Sequence, residues 1–555
     1  MSSNPLRECF AVWEEELCSD IDCEFVLKGI KEGFSIIVPD TTKDIFPACC
    51  NNYKSVTDVN VKLKVERQIL EEIDLGRYVV CHEKPLIVSA LGAVPKAGSD
   101  SLRLIHDCSR PAGLGINAYA EPDAVKFNTV DNACSYINRG FYMAKLDLKS
   151  AYRYVGIRPS HYALAGLQWT FAGHTIPTYM VDTRLMFGAS QAVGIFHRIS
   201  NALVRMIQSQ ITVGRVINYL DDFLIVAPTR EECQHVMNVS MSLIGRLGFD
   251  INYTKVVYPS TQVTFLGIVL DSDTMYMHIP VDKLCEIKGK AANWVKKSKA
   301  TKRELQSLAG SIAWGAKCIK AMRPILRGII NLYKGLRAPH HHIRLPKVVK
   351  ADIQYFLHWC DTFNGVSFCA SEGSLPVTYC FTDATMLAGA ACWENDFLYA
   401  TWAHDVPALA NECIYVKELA AVHLAIQRWS HAWSNHYVIL NVDNQGVLWS
   451  LRKGLVKNCI ANDMVHDILW LAAIHNITLD VRYVASADNV LADTLSRLAD
   501  HKNVVIAFSY LAQCGVDPFA PNFDLLNHMS TQSFSLLLSR YVAQGAGIRC
   551  PDPQI

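Results

Sequence analysis

Between residues 216 and 226 the apolar and polar positions fall into a mirror arrangement. Val216-Ile217-Asn218-Tyr219 and Phe223-Leu224-Ile225-Val226 flank Leu220 and two adjacent acids, Asp221 and Asp222. The pattern predicts a strand, a tight turn and a returning strand, with both carboxylates at the tip. A solvated hairpin end would also carry Asp-Asp, so its meaning depends on a third carboxylate. The stretch from Met143 to Tyr152 supplies one. Leu146 and Leu148 fall on one face of a strand and Lys145 and Asp147 on the other. An acid ending a buried strand five residues before an aromatic is hard to explain by packing.

The rest of the first half follows the same reading. Residues 1–75 form a helical lead-in, with Phe10, Val12, Trp13 and Leu17 spaced as one helix and Gly29 and Gly33 breaking a second segment. Ser89–Lys96 and Leu102–Asp107, joined by the polar turn around Gly98, predict a hairpin that brings Lys96 and Arg103 together. Two cations on facing strands suit a triphosphate, which Arg can grip in bidentate fashion. A helix runs through Phe196, Ile199, Leu203 and Ile207, a second from Glu232 to Leu247, and Val263–Ile268 reads as a short strand. Strand, helix, hairpin, helix, strand makes an antiparallel sheet with helices on one face, an α+β layer.

A second acidic pattern follows Pro376. Val377–Asp383 and Tyr437–Asp443 are strands that finish on an acid, and Ala388–Trp393 is a strand between them. The helix Cys413–Trp429 has an apolar stripe at Ile414, Ala421, Val422, Ala425 and Trp429, and Glu418 lies on it. Burying an unpaired charge is costly, so that Glu asks for a partner. Asp493 sits in the helix that begins at Asn489. Asp383, Glu418, Asp443 and Asp493 make a four-carboxylate, two-metal constellation.

Composition narrows the class. At 555 residues, half of them hydrophobic, the chain is globular with roughly three to four domains. No signal peptide or span of about 18 apolar residues is visible, so an intracellular protein, in cytoplasm or nucleus and without a membrane, is expected. Nineteen cysteines without a Cys-x-x-Cys pair fit reduced thiols, and His340–His342 has no nearby ligand pair and reads as polar linker. From Lys288 to Lys350 there are sixteen Lys and Arg against one acid, Glu304. Trp294, Leu305, Leu308, Ile312, Trp314, Ile325 and Ile329 interleave with them at helical spacing. Amphipathic helices with a basic outside favour a polyanion such as nucleic acid.

The ordered set Val94-Pro95-Lys96, Arg103–Asp107, Leu146–Tyr152, Phe187-Gly188, Tyr219–Ile225 and Phe265–Ile268 resembles retroelement reverse transcriptases. It is closest to DIRS-type elements and the neighbouring Gypsy-type elements and pararetroviruses, and the lead-in Phe25–Phe34 is DIRS-like. The resemblance implies a right-hand polymerase with fingers, a palm with an antiparallel sheet, and a thumb. Asp147 and Asp221 would ligate two Mg²⁺ (or Mn²⁺) ions with Asp222 assisting, activating a primer hydroxyl and stabilising pyrophosphate. Lys96 and Arg103 would grip the deoxynucleoside triphosphate, and Tyr152 would exclude a 2′-hydroxyl. Gly188 would allow close backbone approach, and Lys255 would protonate pyrophosphate.

Lys417–Leu419 and Ala492–Arg497, with the four acids, resemble the ribonuclease H domains of the same elements, an α/β fold that hydrolyses RNA in RNA–DNA hybrids. The implied domains are 1–75, a helical extension; 76–285, fingers and palm; 286–365, thumb and connection; 375–500, ribonuclease H-like; and 501–555, a tail. The partners would be RNA template, DNA primer and RNA–DNA hybrid.

Two departures stand out. Leu185-Met186-Phe187-Gly188-Ala189 replaces the usual Leu-Pro-Phe-Gly-Leu, and Tyr483 stands where the nuclease family carries a histidine. Tyrosine cannot perform a histidine's proton transfer near neutral pH, so slow hybrid cleavage is expected. The alternative is a decayed or domesticated copy that only binds nucleic acid.

Overall fold

The computed structural model describes residues 4–38, 44–95, 102–122, 124–319, 322–347, 349–350, 353–354, 356–357, 366–367, 375–394 and 396–499. Lys96 and the tail 501–555 lie outside the described residues. The chain divides into two compact units, Met1–Leu266 with Asp271–Thr274, and Gly267–Leu270 with Met275–Ile555.

The first unit opens with helices α1 (Phe10–Glu16) and α2 (Cys23–Glu32). Trp13 is fully buried, and its indole N–H donates to the Leu247 carbonyl at 2.9 Å. Gly29 does not break α2, as its sequence position suggested. It lies inside the helix, at a place where a Cβ would fall 2.1 Å from the Phe34 ring. Gly33, at φ +91°, is what ends the helix.

Strands β1 (Ala90–Pro95) and β2 (Leu102–Asp107) form the expected hairpin, in register from Ala90 opposite Asp107 to Pro95 opposite Leu102. The central sheet uses β3 (Tyr142–Asp147), β4 (Arg215–Tyr219), β5 (Asp222–Ala227) and β6 (Val257–Ser260), in the order β6-β3-β5-β4 and antiparallel throughout. Phe223 to Ala227 are all buried, which is why β5 is apolar at every one of these positions. Helices α3 (Ser190–Ser209) and α4 (Arg230–Arg246) follow the two halves of the motif set. Thr229 and Glu232 close a capping box at the start of α4, a device worth about 1 kcal/mol.

One expectation needs correcting. Val263–Ile268 is not one strand: the chain turns at Leu266 and Gly267, both at positive φ, between strands Gln262–Phe265 and Ile268–Asp271. The fourth strand of the sheet is instead β6. Its Pro259 reads as a strand breaker, but β6 lies at the sheet edge, where a missing N–H is tolerated.

In the second unit α5 (Val281–Lys296), α6 (Lys302–Gly315) and α7 (Arg323–Lys334) bury Trp294, Leu305, Leu308, Ile312, Ile325 and Ile329, as their spacing predicts. Trp314 differs. It is only partly buried and, with Lys283, Lys290 and Ser311, lines an open groove of about 530 Å³.

A five-stranded sheet follows, built from β7 (Val377–Ala384), β8 (Ala388–Trp393), β9 (Asp396–Thr401), β10 (Tyr437–Val442) and β11 (Thr478–Tyr483). The order is β9-β8-β7-β10-β11. Strands β7, β10 and β11 are parallel, and β8 and β9 are antiparallel to their neighbours. Helix α8 (Ile414–Trp429) is buried at every position from Val416 to Ile426, wider than the single stripe the sequence indicates, whereas Ile414 is 40% exposed. The sheet covers one side of α8 and α10 (Cys459–Ile474) the other; α9 (Gln445–Lys453) precedes α10, and α11 (Val490–Ser496) packs on β8.

Two candidate carboxylate centres

The first centre sits where β3 meets the β4–β5 turn. Asp147 ends β3, and Asp222, which begins β5, lies directly opposite it in the ladder. Tyr219 pairs with Asp222, so Leu220 and Asp221 are the two turn residues. Leu220 takes φ +55°, the sign that a two-residue hairpin turn demands. This strained position is held from behind. The Leu220 carbonyl accepts from the Ser200 hydroxyl at 2.5 Å, and Ser200 accepts from Asn218 at 2.6 Å. The Leu148 N–H donates to the Asp221 carbonyl at 3.0 Å, tying the turn to the first acid.

Burial, the charges of Asp222 and Asp147, and incomplete compensation from hydrogen bonding raise the Asp221 carboxyl above its ordinary range. Asp222 is raised as well, chiefly by burial. Two lysines answer the negative charge. Lys145 reaches Asp222 at 3.1 Å, and Lys255 reaches Asp147 at 2.9 Å. The Asn252 amide donates to the other Asp147 oxygen at 2.9 Å. Lys255 is thus in contact with the carboxylate itself. Lys145 and Asn252 were not singled out from the sequence, although Lys145 shares the Asp147 face of β3 by simple alternation.

Tyr152 lies stacked on Phe187 with ring centroids 5.1 Å apart and tilts against Phe196. Burial and the Asp221 charge push its phenol up to about 12. The Arg103 guanidinium lies over the other aromatic partner, 5.1 Å from the Phe187 ring centre. Gly188, at φ +123°, packs so tightly that a Cβ would fall 1.8 Å from the His106 carbonyl oxygen. The close approach expected there is therefore to the strand carrying Arg103.

The second centre brings together three of its four expected acids. One carboxylate oxygen from each of Asp383 on β7, Glu418 on α8 and Asp443 after β10 lies within 4.8 Å of the others. Among the described residues this is the one group of three potential metal ligands that close. Asp383 and Glu418 are 3% and 7% exposed. Burial, reinforced by the neighbouring acids, pushes Glu418 up to about 9 and Asp383 up to about 7.

The Ser496 hydroxyl donates to Asp383 and the Ser486 hydroxyl to Asp443 at 2.9 Å. Asp493 is not in the close group. Arg497, four residues on in the chain, takes it in a bidentate pair at 2.7 to 2.9 Å. Lys417 turns away from the acids and donates to the Met386 and Ala410 carbonyls at 2.9 and 2.8 Å. Tyr483 ends β11 half-exposed. The two serines were missed because a lone Ser carries no spacing signal.

Both donor sets are hard oxygens, and the second is a largely buried cluster of three carboxyl groups. A hard divalent cation fits such a set. No helix among the described residues is long and apolar enough to cross a membrane.

Known proteins resemble this chain in sequence and in fold. The Retrovirus-related Pol polyprotein from transposon opus of Drosophila melanogaster is 21% identical over 469 residues, covering 80% of this chain and 43% of the relative. Transposon Tf2-3 polyprotein of Schizosaccharomyces pombe is 21% identical over 519 residues, covering 87% and 35%. The chain thus spans less than half the length of these relatives.

Among solved structures, a foamy viral protease-reverse transcriptase in complex with dsDNA superposes with a TM-score of 0.51 at 13% identity, over 86% of this chain and 97% of that one. The same viral protein in complex with RNA/DNA hybrid gives 0.50 at 14%, over 85% and 62%. The fold is accordingly that of a right-hand polymerase followed by a ribonuclease H-like α/β domain, and residues 94–270 match the family described as reverse transcriptase (RNA-dependent DNA polymerase).

Proposed function

We propose that the chain is an RNA-directed DNA polymerase with ribonuclease H activity, from a DIRS-type or neighbouring Gypsy-type retrotransposon. The observation that carries the polymerase reading is the ladder register that sets Asp222 opposite Asp147 with Asp221 on the turn beside them. The cluster of Asp383, Glu418 and Asp443 supports a separate nuclease centre. Residues 76–285 would be fingers and palm, 286–365 thumb and connection, and 375–500 the nuclease, with 1–75 as extension.

Asp147, Asp221 and Asp222 would hold Mg²⁺ at the first centre, and Asp383, Glu418 and Asp443, with Asp493 nearby, would hold it at the second. Two such ions supply charge neutralisation and a lowered pKa for the attacking oxygen. The chain's own residues do the rest. Arg103, seated on Phe187, and Lys96 bind the triphosphate. Tyr152, held between Phe187 and Phe196, walls the sugar and rejects ribonucleotides. Lys145 and Lys255 pair with the Asp222 and Asp147 carboxylates, and Lys255 would donate a proton to pyrophosphate. At the second centre Ser486 and Ser496 orient Asp443 and Asp383. Lys283 and Lys290, which line the groove beside Trp314, both pair with Glu286, at 2.8 and 2.7 Å, so they would meet a nucleic-acid backbone only by giving up that acid.

Primer extension on an RNA template with deoxynucleotides and Mg²⁺ tests this reading. Extension by the wild type is expected. Duplex binding without any extension would overturn it in favour of a copy that only binds nucleic acid.

A further inference from the structure

The first unit holds a cavity of about 760 Å³ that neither carboxylate centre uses, with Lys149 and Ser150, two and three residues after Asp147, on its wall. Its volume falls in the range of about 300–1,000 Å³ typical of small-molecule sites. Six cations from four separate stretches line it: Lys64 and Arg67 on the helix Val59–Asp74, then Arg77, Lys149, Arg153 and Arg184. Three acids, Glu71, Glu72 and Asp250, face them.

Part of this charge is balanced within the wall: Glu72 pairs with Arg153 at 2.6 Å and Arg77 at 3.4 Å, the buried Asp182 takes Arg153 at 2.8 Å, and Asp250 accepts from the Tyr154 hydroxyl at 2.5 Å. Arg184 is the informative member. It is 4% exposed, and burial together with the neighbouring Arg153 and Arg77 charges pushes its guanidinium down from its ordinary value. The buried Asp182 beside it offsets part of that repulsion, and Arg184 still lines the cavity wall.

We propose that this cavity binds a small polyphosphate anion, pyrophosphate or the triphosphate tail of a nucleotide, at a site separate from Arg103. Guanidinium groups converging from several elements match phosphate oxygens in bidentate fashion. A concave wall with a nearly inaccessible arginine suits a compact anion over a strand, whose backbone would meet the outer cations alone. The purpose rests on the polymerase reading: nucleotidyl transfer releases pyrophosphate, and Lys149 and Ser150 follow directly on the strand that ends at Asp147. The cavity then holds the product after it leaves the primer terminus, or a second nucleotide.

Calorimetric titration of the full chain with inorganic pyrophosphate, and separately with ATP, tests this. The variants are Lys64→Glu/Arg67→Glu, both on the exposed side of their helix, and Arg103→Ala. Saturable binding by wild type is expected, with a component that is weakened at least tenfold in the double variant and persists in Arg103→Ala. No binding, or binding lost in Arg103→Ala and kept in the double variant, would overturn the proposal. Displacement of bound pyrophosphate by a single-stranded oligonucleotide would overturn it too, assigning the cavity to a strand. Primer extension run alongside keeps the two readings apart. Extension without pyrophosphate binding defeats this inference alone. Binding that responds to the double variant without extension defeats the polymerase and leaves the anion site.

Discussion

Tyr152 is fixed on two sides by aromatic rings, so the sugar wall proposed for it would be in place before substrate binds. Tyr152→Val should therefore relax sugar selection. Ribonucleotide incorporation relative to deoxynucleotide should rise by about tenfold or more, since a steric wall is removed with no new contact made. Unchanged selectivity in single-nucleotide incorporation kinetics would remove Tyr152 from that role. Gly188 makes a complementary point. Its positive φ and the 1.8 Å approach to the His106 carbonyl mean that Gly188→Ala should cost about 2–4 kcal/mol, read from urea unfolding. At the second centre a positioned general acid–base group contributes about 10²–10⁴-fold. Tyr483→His should consequently raise hybrid cleavage by about tenfold or more, and wild-type cleavage already at full rate and insensitive to the change would count against the missing-histidine account.

Charge and shape were read with unequal success at the level of strands and helices. The hairpin around Asp221, the strand ending at Asp147 and the pairing of Arg103's strand were legible because alternation over five or six residues is a strong signal. The edge strand with Pro259 was not, since its neighbours decide what a proline may do there. The stripe assigned to α8 was too narrow, because a helix covered on both sides loses the polar face that periodicity detects. Asp493 was visible as an acid in the right helix, but its capture by Arg497 depends on rotamers that spacing does not give.

The elements that converge on Asp383, Glu418 and Asp443 also set a pH dependence. Glu418 and Asp383 are raised above their unfolded values, so the folded state binds more protons between roughly pH 4 and 9. Stability from these groups is present at low pH and is lost as pH rises. The cation-free second unit should melt at a lower temperature at pH 8.5 than at pH 5.5, and added Mg²⁺ should raise the melting temperature more at pH 8.5. Equal Mg²⁺ effects at both values would contradict a cation at this cluster.

At the scale of the whole molecule, the two centres lie in separate compact units and share no residue, so each chemistry should be removable alone. On the proposed reading, a polymerase fused to a hybrid nuclease is most simply one that makes hybrids, which is the reason to propose RNA as template. The measurement that bears on this most directly follows primer extension on an RNA template and cleavage of the RNA strand in the same reaction. Wild type should do both; Asp221→Asn should abolish synthesis and retain cleavage of a preformed hybrid, and Asp443→Asn should do the reverse. Synthesis that survives Asp221→Asn, or wild type that binds the duplex and does neither, would contradict the account.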